Sequence, residues 1–497
     1  TMAEIPGHRD PITGELDQTD TVVMLANRIF EELDGEFPNL ILGFYVYSWH
    51  GEWPRIHHPH PRIAAIFADI NFSRYHCFDD PHSRTRAYYK PIVDWWADLR
   101  KQQGNRLVFR GYNFNLASVL APFTRLRTWG VDIPYYHRAG FEGINIQGAN
   151  GWSIHGPHTY ALMKLMWNAD ADWRDILRDY CVASFGEAAA EPMIRYYQRI
   201  VETQHRSRHE AGSYHAIHLI FDEPFMDAAR ADLAEAAKLA RTEDQKHRLA
   251  VHAFGLEMLE RYLTFREAWT NFDFVKAKRE FEQLKQRIDE MQALERNAAA
   301  WITKRYLDRF FSKFVEQAAT YSTGDYRIIE PLPEAMPTRF DQTGEGERMD
   351  LFEPTLDDSS VMKTHTWSTT WDAQGLWGYV ASHVWYRHRF TLPEGARDEA
   401  IGLLLGGFDD EAKVWLNGHY IGRSGRGFSM PAAFDLTDAL NREGENVLAI
   451  QIYHHTTNEI GIGGLFRPSF IFAGPRLEKR APEVDDTAPA LPGAGEV

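Results

Sequence analysis

Glu52, Asp79 and Asp80 are carboxylates set among tryptophans, tyrosines and side-chain amides. Splitting an acetal bond needs a proton donor on one side and a base or nucleophile on the other, at a separation set by the stereochemical course. Glu52 lies in Trp49-His50-Gly51-Glu52-Trp53, where two flanking indoles could desolvate the carboxyl and raise its pKa. Its structural alternative is an ion pair with Arg55. Asp79-Asp80-Pro81 could be a working pair of acids or a turn that starts a helix, since Asp before Pro does this well. Glu52 and Asp80 are thus the candidate catalytic groups and Asp79 a candidate ligand contact. Asp69 lies inside a strand pattern and could point either way, whereas Glu142 precedes a strand and reads as structural.

The residues around these acids suit a flat, hydroxyl-rich ligand. Tyr45 and Tyr47 share one face of a strand, and Trp49 and Trp152 fall near strand ends. They line a pocket or fill a core. Asn113, Asn115 and Gln147 carry amides able to bond vicinal hydroxyls, or to satisfy loop backbone. Arg74 and His76 suit an acidic sugar or a hydroxyl, and His50 and His155 belong to the same loops. His57-His58-Pro59-His60 suggests a metal, but zinc ligands sit on regular elements with supporting hydrogen bonds, and a proline-interrupted loop offers no such frame. No metal or cofactor is expected. No GxSxG, HExxH or P-loop string points to an esterase, a zincin or an NTPase.

Positioning these loops requires alternating strands and helices. Apolar spacing predicts a helix over Thr19–Leu33, and short apolar runs predict strands at Leu40–Trp49, Ile63–Phe72, Arg106–Phe114 and Gly143–Gly148. Helices are expected at Tyr88–Gln102, Ala117–Trp129, Ile133–Ala139 and His158–Trp167. Such alternation indicates a parallel sheet. The polar and aromatic residues gather just after each strand, as in a (β/α)8 barrel whose site lies at the C-terminal strand ends. Four strands leave such a barrel half built. Residues 1–169 therefore read as its C-terminal half, strands five to eight, with the first half expected upstream of Thr1.

Residues 170–325 carry helical periodicity nearly throughout and are expected to pack on the barrel. A proline-rich stretch, 326–345, reads as a linker. From 346 to 474 the apolar period becomes two, and Asn417-Gly418 between VWL and HYIG signals a tight hairpin. Many short strands with turn signals predict a β-sandwich or jelly roll. Residues 475–497 are rich in Pro, Ala and acids and are expected to be disordered. The net charge of −16 argues against nucleic acid as a partner. No apolar run reaches the ~20 residues of a membrane span, and two cysteines build no disulfide framework. Oligomeric state is not legible.

Two resemblances follow from these motifs. WYRHRFTLPEG, LLLGGFDDEAKVWLNGHYIGRSG and FDLTDALNREGENVLAIQIYHH, over about 349–473, resemble the galactose-binding-like, sugar-binding domain of β-galactosidase-type glycosidases. GFYVYSWHGEWP, RYHCFDDP, LAPF, INIQGAN, ALMKLMWNADAD and YCVASFGEAAAEPMIRYY, over about 17–200, resemble the bacterial domain of unknown function 4838, related to glycoside hydrolase families 20 and 163. The resemblance implies a glycoside hydrolase-like protein acting on oligosaccharides or glycans, with N-acetylhexosamine-containing ones among the candidates. It places the acidic pair at the end of the fourth strand, before Thr1, so the 497 residues alone are expected to be inactive. It also implies a secreted or periplasmic location. The sequence departs from the family at Ile146, where compared members often carry Glu before the Gln-Gly of the eighth strand. That departure favours the alternative of a non-catalytic carbohydrate-binding protein.

Overall fold

The structure, a computed structural model, describes residues 8, 16–33, 35–69, 73–115, 118, 120–210, 215–371, 373–376, 382–425, 430–454 and 462–478. The chain begins as mixed α/β. Helix α1 (Thr19–Leu33) is followed by β1 (Leu42–Val46), β2 (Ile63–Ala68), α2 (Arg84–Gln103), β3 (Arg106–Tyr112), α3 (Leu126–Arg138), β4 (Gly143–Gln147) and α4 (Trp152–Trp167). The four strands form one parallel sheet in sequence order. Alternation along each strand sets its two faces. Phe44, Val46, Phe67, Leu107 and Phe109 point to the helices and are buried, with Trp96 of α2 and Trp129 and Tyr136 of α3 packed against them. The opposite set, Tyr45, Ile66, Val108, Arg110, Tyr112, Asn145 and Gln147, stays partly or fully exposed. A parallel sheet normally has both faces covered; here, among the described residues, helices cover one face and leave the other open.

Local signals explain the helix limits. Ser83 caps α2 by accepting from Arg86 N, and Gly104, at φ 82°, ends it. Where Ala117–Trp129 and Ile133–Ala139 were expected as two helices, one helix, α3, runs from Leu126 with Pro134 inside it; residues 116, 117 and 119 lie outside the described ones. Pro134 costs the helix one backbone bond, and Tyr136, packed between Phe109 and Phe141, holds the helix against the sheet beyond it. The next helix starts earlier than the sequence suggests, at Trp152 rather than His158.

Helices α5 (Trp173–Phe185), α6 (Glu187–Arg206), α7 (Ile217–Ile220), α8 (Glu223–Leu239), α9 (Glu243–Thr270), α10 (Phe274–Leu294), α11 (Trp301–Leu307) and α12 (Lys313–Thr320) follow, the last two joined by a π turn at Asp308–Ser312. The proline-rich stretch read as a linker is instead two strands, β5 (Arg327–Pro331) and β6 (Ala335–Asp341). Pro331 ends an edge strand, where its missing N–H breaks no ladder.

The remaining strands are β7 (Lys363–His365), β8 (Ser382–Thr391), β9 (Ala400–Leu405), β10 (Phe408–Asp409), β11 (Glu411–Leu416), β12 (His419–Ser424), β13 (Ala432–Asp435), β14 (Glu445–His454), β15 (Gly464–Leu465) and β16 (Phe470–Gly474). They build two antiparallel sheets, β12-β11-β14-β8-β6-β7 and β13-β9-β16-β5, with a small β10-β15 pair. The hairpin between β11 and β12 turns at Asn417 (φ 52°) and Gly418 (φ 82°), the left-handed pair that its residues signal. Val384, Tyr386, Leu403, Leu405, Val414, Ile450 and Ile471 fill the space between the sheets. The outer side of the smaller sheet docks on the helices: Phe470 stacks on Phe274 (5.3 Å) and Phe472 on Tyr321 (4.5 Å). Of the expected disordered tail, residues 479–497 lie outside the described part. No helix among the described residues is long and apolar enough to cross a membrane.

Candidate functional site

The C-terminal ends of the strands divide into a helix side and an open side, and the candidate residues separate between them. Glu52 lies on the helix side. It is buried, and its carboxylate accepts from Arg55 Nη2 (2.7 Å), His8 Nε2 (3.0 Å) and the Tyr88 hydroxyl. Its backbone is held as well, N–H to Thr19 Oγ1 (3.2 Å) and C=O by Trp96 Nε1 (3.3 Å). The neighbouring loop is fixed by Asp20, which accepts from the backbone N–H groups of Arg55, Ile56 and His57 at 2.7–2.8 Å. Burial raises the pKa of Asp17 nearby, and Glu52 adds to the rise. The His57–His60 stretch is tied down as part of this loop: His60 stacks on Phe30 at 4.1 Å and its Nδ1 accepts from Arg62 N.

Asp80 is buried where the loop after β2 meets α6. Its Oδ1 caps His82 N (3.0 Å), and its Oδ2 stands 3.2 Å from His205 Nδ1 and 3.9 Å from His76 Nε2. Burial lowers the His205 pKa, with Arg127 acting in the same direction. Asp79 pairs with Arg127 (3.3 Å), which also donates to Cys77 Sγ (3.3 Å). His76 donates through Nε2 to Ser207 O (2.8 Å), and its Nδ1 lies in hydrogen-bond contact with Ser73 Oγ (2.7 Å). Glu52 and Asp80 share no partner among these contacts. Asp69, also facing the helices, pairs with Arg125 (3.1 Å), and both are buried; Arg86 and Asp132 form a second buried pair at 3.0 Å. Glu142 lies at the far end of the sheet, bridging Arg100 and Arg106.

Asn113 spends its amide on structure. Its Oδ1 accepts from Trp129 Nε1 (3.0 Å), its Nδ2 donates to Thr159 Oγ1 (2.6 Å), and its carbonyl accepts from His158 Nε2 (3.0 Å). Asn115 is buried and bonds Tyr75. His155 is buried at the start of α4, where desolvation lowers its pKa to about 4. Ile146 faces the helices, packed against the core, so the position that differs from the resembling family does not face the open side.

The open side holds the rest. Tyr45 is 45% exposed and Trp49 44%, enough for a ring face to meet a ligand. His50 donates from Nδ1 to Tyr45 O at 2.5 Å, and burial lowers its pKa. Tyr47 and Tyr112 are electrostatic neighbours, and Arg74 lies 5.7 Å over the Tyr112 ring. Arg110 donates to Asn145 Oδ1 (2.6 Å) and Gln147 Oε1 (3.1 Å). Trp152 is 46% exposed at the start of α4. Arg110, Tyr112 and Asn145 were not singled out from the sequence. The signal for Arg110 and Tyr112 was the alternation in RLVFRGY, which puts Arg106, Val108, Arg110 and Tyr112 on one face, and for Asn145 the alternation in GINIQ, which puts it with Gln147. Among the described residues no group of three or more His, Cys, Asp or Glu is arranged to hold a metal.

Residues 7–199 match the family model described as a domain of unknown function (DUF4838), and residues 346–458 match the beta-galactosidase second all-beta domain. The chain thus carries a DUF4838 domain and a β-galactosidase-type all-β domain. A beta-galactosidase of Vibrio cholerae serotype O1 is 34% identical over 99 residues, 18% of this chain and 10% of that protein. The beta-galactosidase large subunit of Leuconostoc lactis is 35% identical over 97 residues, covering 18% and 15%. The chain therefore spans only 10% and 15% of the length of these relatives. Among solved structures, an uncultured Clostridium sp. beta-glucuronidase aligns with 31% of this chain and 30% of its own at 23% identity and TM-score 0.26. A Ruminococcus gnavus beta-glucuronidase aligns with 31% and 29% at 17% identity and TM-score 0.27.

Proposed function

We propose that the chain is part of a glycoside hydrolase-like protein acting on oligosaccharides or glycans, N-acetylhexosamine-containing ones among them. The observation that carries the reading is the open sheet face, with Tyr45, Tyr47, Arg110, Tyr112 and Gln147 at the C-terminal strand ends, in a chain that also holds a β-galactosidase-type all-β domain. Active sites of (β/α)8 barrels lie at that end. In this reading the four strands are half of such a barrel. Leu25 of α1 is 60% exposed, and Met163 and Trp167 of α4 are 67% and 94% exposed. Large apolar groups so placed, beside two unpaired strand edges, call for further strand–helix units to cover them. The sugar meets the open-side aromatics and amides, while Glu52 and Asp80 anchor the loops around the mouth. The acidic pair comes with the covering units.

Incubating the 497 residues with aryl glycosides and an oligosaccharide panel tests this. Binding without product is expected, and cleavage of N-acetylhexosaminides at ordinary enzymatic rates by these residues alone would refute the placement of the acids. A second reading, a carbohydrate-binding protein without catalysis, is favoured by one observation. The three candidate carboxylates Glu52, Asp80 and Asp69 are buried against Arg55, His205 and Arg125. Mass spectrometry of glycan recovered from the full gene product separates the two readings, since the second requires it unchanged.

A further inference from the structure

We infer that the open face selects carbohydrate bearing a carboxylate group, through Arg110 with Arg74 beside it; this rests on the carbohydrate reading above. Arg110 stands two residues before the end of β3 and is half-buried on the open face. Its bonds go to Asn145 Oδ1 and Gln147 Oε1, both neutral amide oxygens on the adjoining strand. These orient the guanidinium without neutralising it. A guanidinium has five N–H donors, so the fork keeps donors beyond the two used here. Tyr112, next along the same face, carries Arg74 over its ring, which brings a second cation to the same strand ends.

The carboxylates nearest in sequence to this end are committed elsewhere. Glu52 holds Arg55, Asp69 holds Arg125, Asp79 holds Arg127, and Asp80 lies against His205. Among the described residues, the side-chain partners of Arg110 are the two neutral amides and include no carboxylate. A neutral sugar hydroxyl offers this fork a weaker acceptor than a carboxylate does. A planar carboxylate matches it with two parallel N–H···O bonds. A hexuronate supplies that group on a ring whose faces suit Tyr45 and Tyr47.

The test is calorimetric titration of the 497-residue chain with oligosaccharide pairs that differ only in carrying a hexuronate or the parent hexose, plus a sulfated arm of matched charge. The acidic member is expected to bind about 10- to 100-fold tighter, the range for a charge-assisted hydrogen-bonded pair. Arg110→Gln should erase most of that preference, read as the ratio of the acidic to the neutral affinity in the variant against the same ratio in the parent. Arg74→Gln, in a loop outside the sheet, should reduce it without disturbing the strands. Neutral and acidic sugars bound within twofold of each other would overturn the proposal and leave the carbohydrate reading standing. Preference for sulfate over carboxylate would overturn the choice of group. No binding to any sugar would overturn both readings.

Discussion

Asp132 is the most exacting place to test how the sheet and its helices hold together. Its carboxylate pairs with Arg86 at 3.0 Å, both side chains 1% exposed, and it accepts from Phe78 N at 3.0 Å. Arg86 also donates to Ser73 O through Nε (3.1 Å) and Nη2 (2.7 Å), so one ion pair pins the loop after β2 between α2 and α3. Asp132→Asn keeps the shape and leaves Arg86 buried without its counter-charge, a loss of about 3–5 kcal/mol. At 1.4 kcal/mol per tenfold, the loop should open roughly two to three and a half powers of ten more often. Cys77 reports on this directly. It is buried in the same loop, its thiol pKa is pushed up by burial, and Asp132 pushes it further. In a Cys181→Ser background, the rate of Cys77 labelling by a thiol reagent measures opening when closing outpaces labelling. Asp132→Asn should raise that rate at least a hundredfold, by the figures just given, and adding Arg86→Met should recover part of the loss by removing the stranded charge. A rate within about threefold of the parent would refute the claim that this pair holds the loop.

Two further outcomes concern the sandwich. Burial raises the Asp409 pKa to about 6 and lowers that of His454, 3.3 Å away, to about 4. Between about pH 4 and 6 the folded chain keeps an Asp409 proton that the unfolded chain releases, so this group alone makes stability fall as pH rises. His454 stays neutral where the unfolded chain would protonate it, so it alone makes stability rise over the same window. The parent should be nearly flat, His454→Gln should lose stability with rising pH and Asp409→Asn should gain it; parallel pH profiles of melting temperature in all three would refute the pairing. Gly418→Val places a β-branched residue at φ 82° in the β11–β12 hairpin and should cost about 1–2 kcal/mol, read as a lower urea midpoint for the loss of hydrogen-exchange protection in β11 and β12.

Much of the backbone was legible because its signals are local. Val23, Ala26 and Phe30 mark the buried stripe of α1 within its own residues, and its limits agree with the expected Thr19–Leu33. The apolar runs of β1 to β4 and the Asn417-Gly418 turn are equally local. Pro331–Phe340 misled because proline is read as a breaker wherever it falls, while its tolerance depends on whether a neighbouring strand needs its N–H, and only the assembled sheet fixes that. The site was less legible for the same reason. The Arg55 partner of Glu52 lies three residues away and was foreseen. Tyr88 and His8 arrive from distant segments, and so does the His205 that meets Asp80. Asn113 looked like a sugar-binding amide until α3 and α4 brought Trp129 and Thr159 to it.

The position of β5 and β6 bears on how this protein can be cut and recombined. Fifteen consecutive residues, 327–341, pass from the edge of one sheet into the interior of the other, so a single short stretch sews the two together. A fragment begun at residue 346, where the matched all-β domain starts, would lose both strands. It would bare the edge of β16 and split β7 from β8. Exposed edges of that kind recruit other chains. The smallest transplantable unit therefore begins at Arg327, and a shorter one would be expected to aggregate rather than fold.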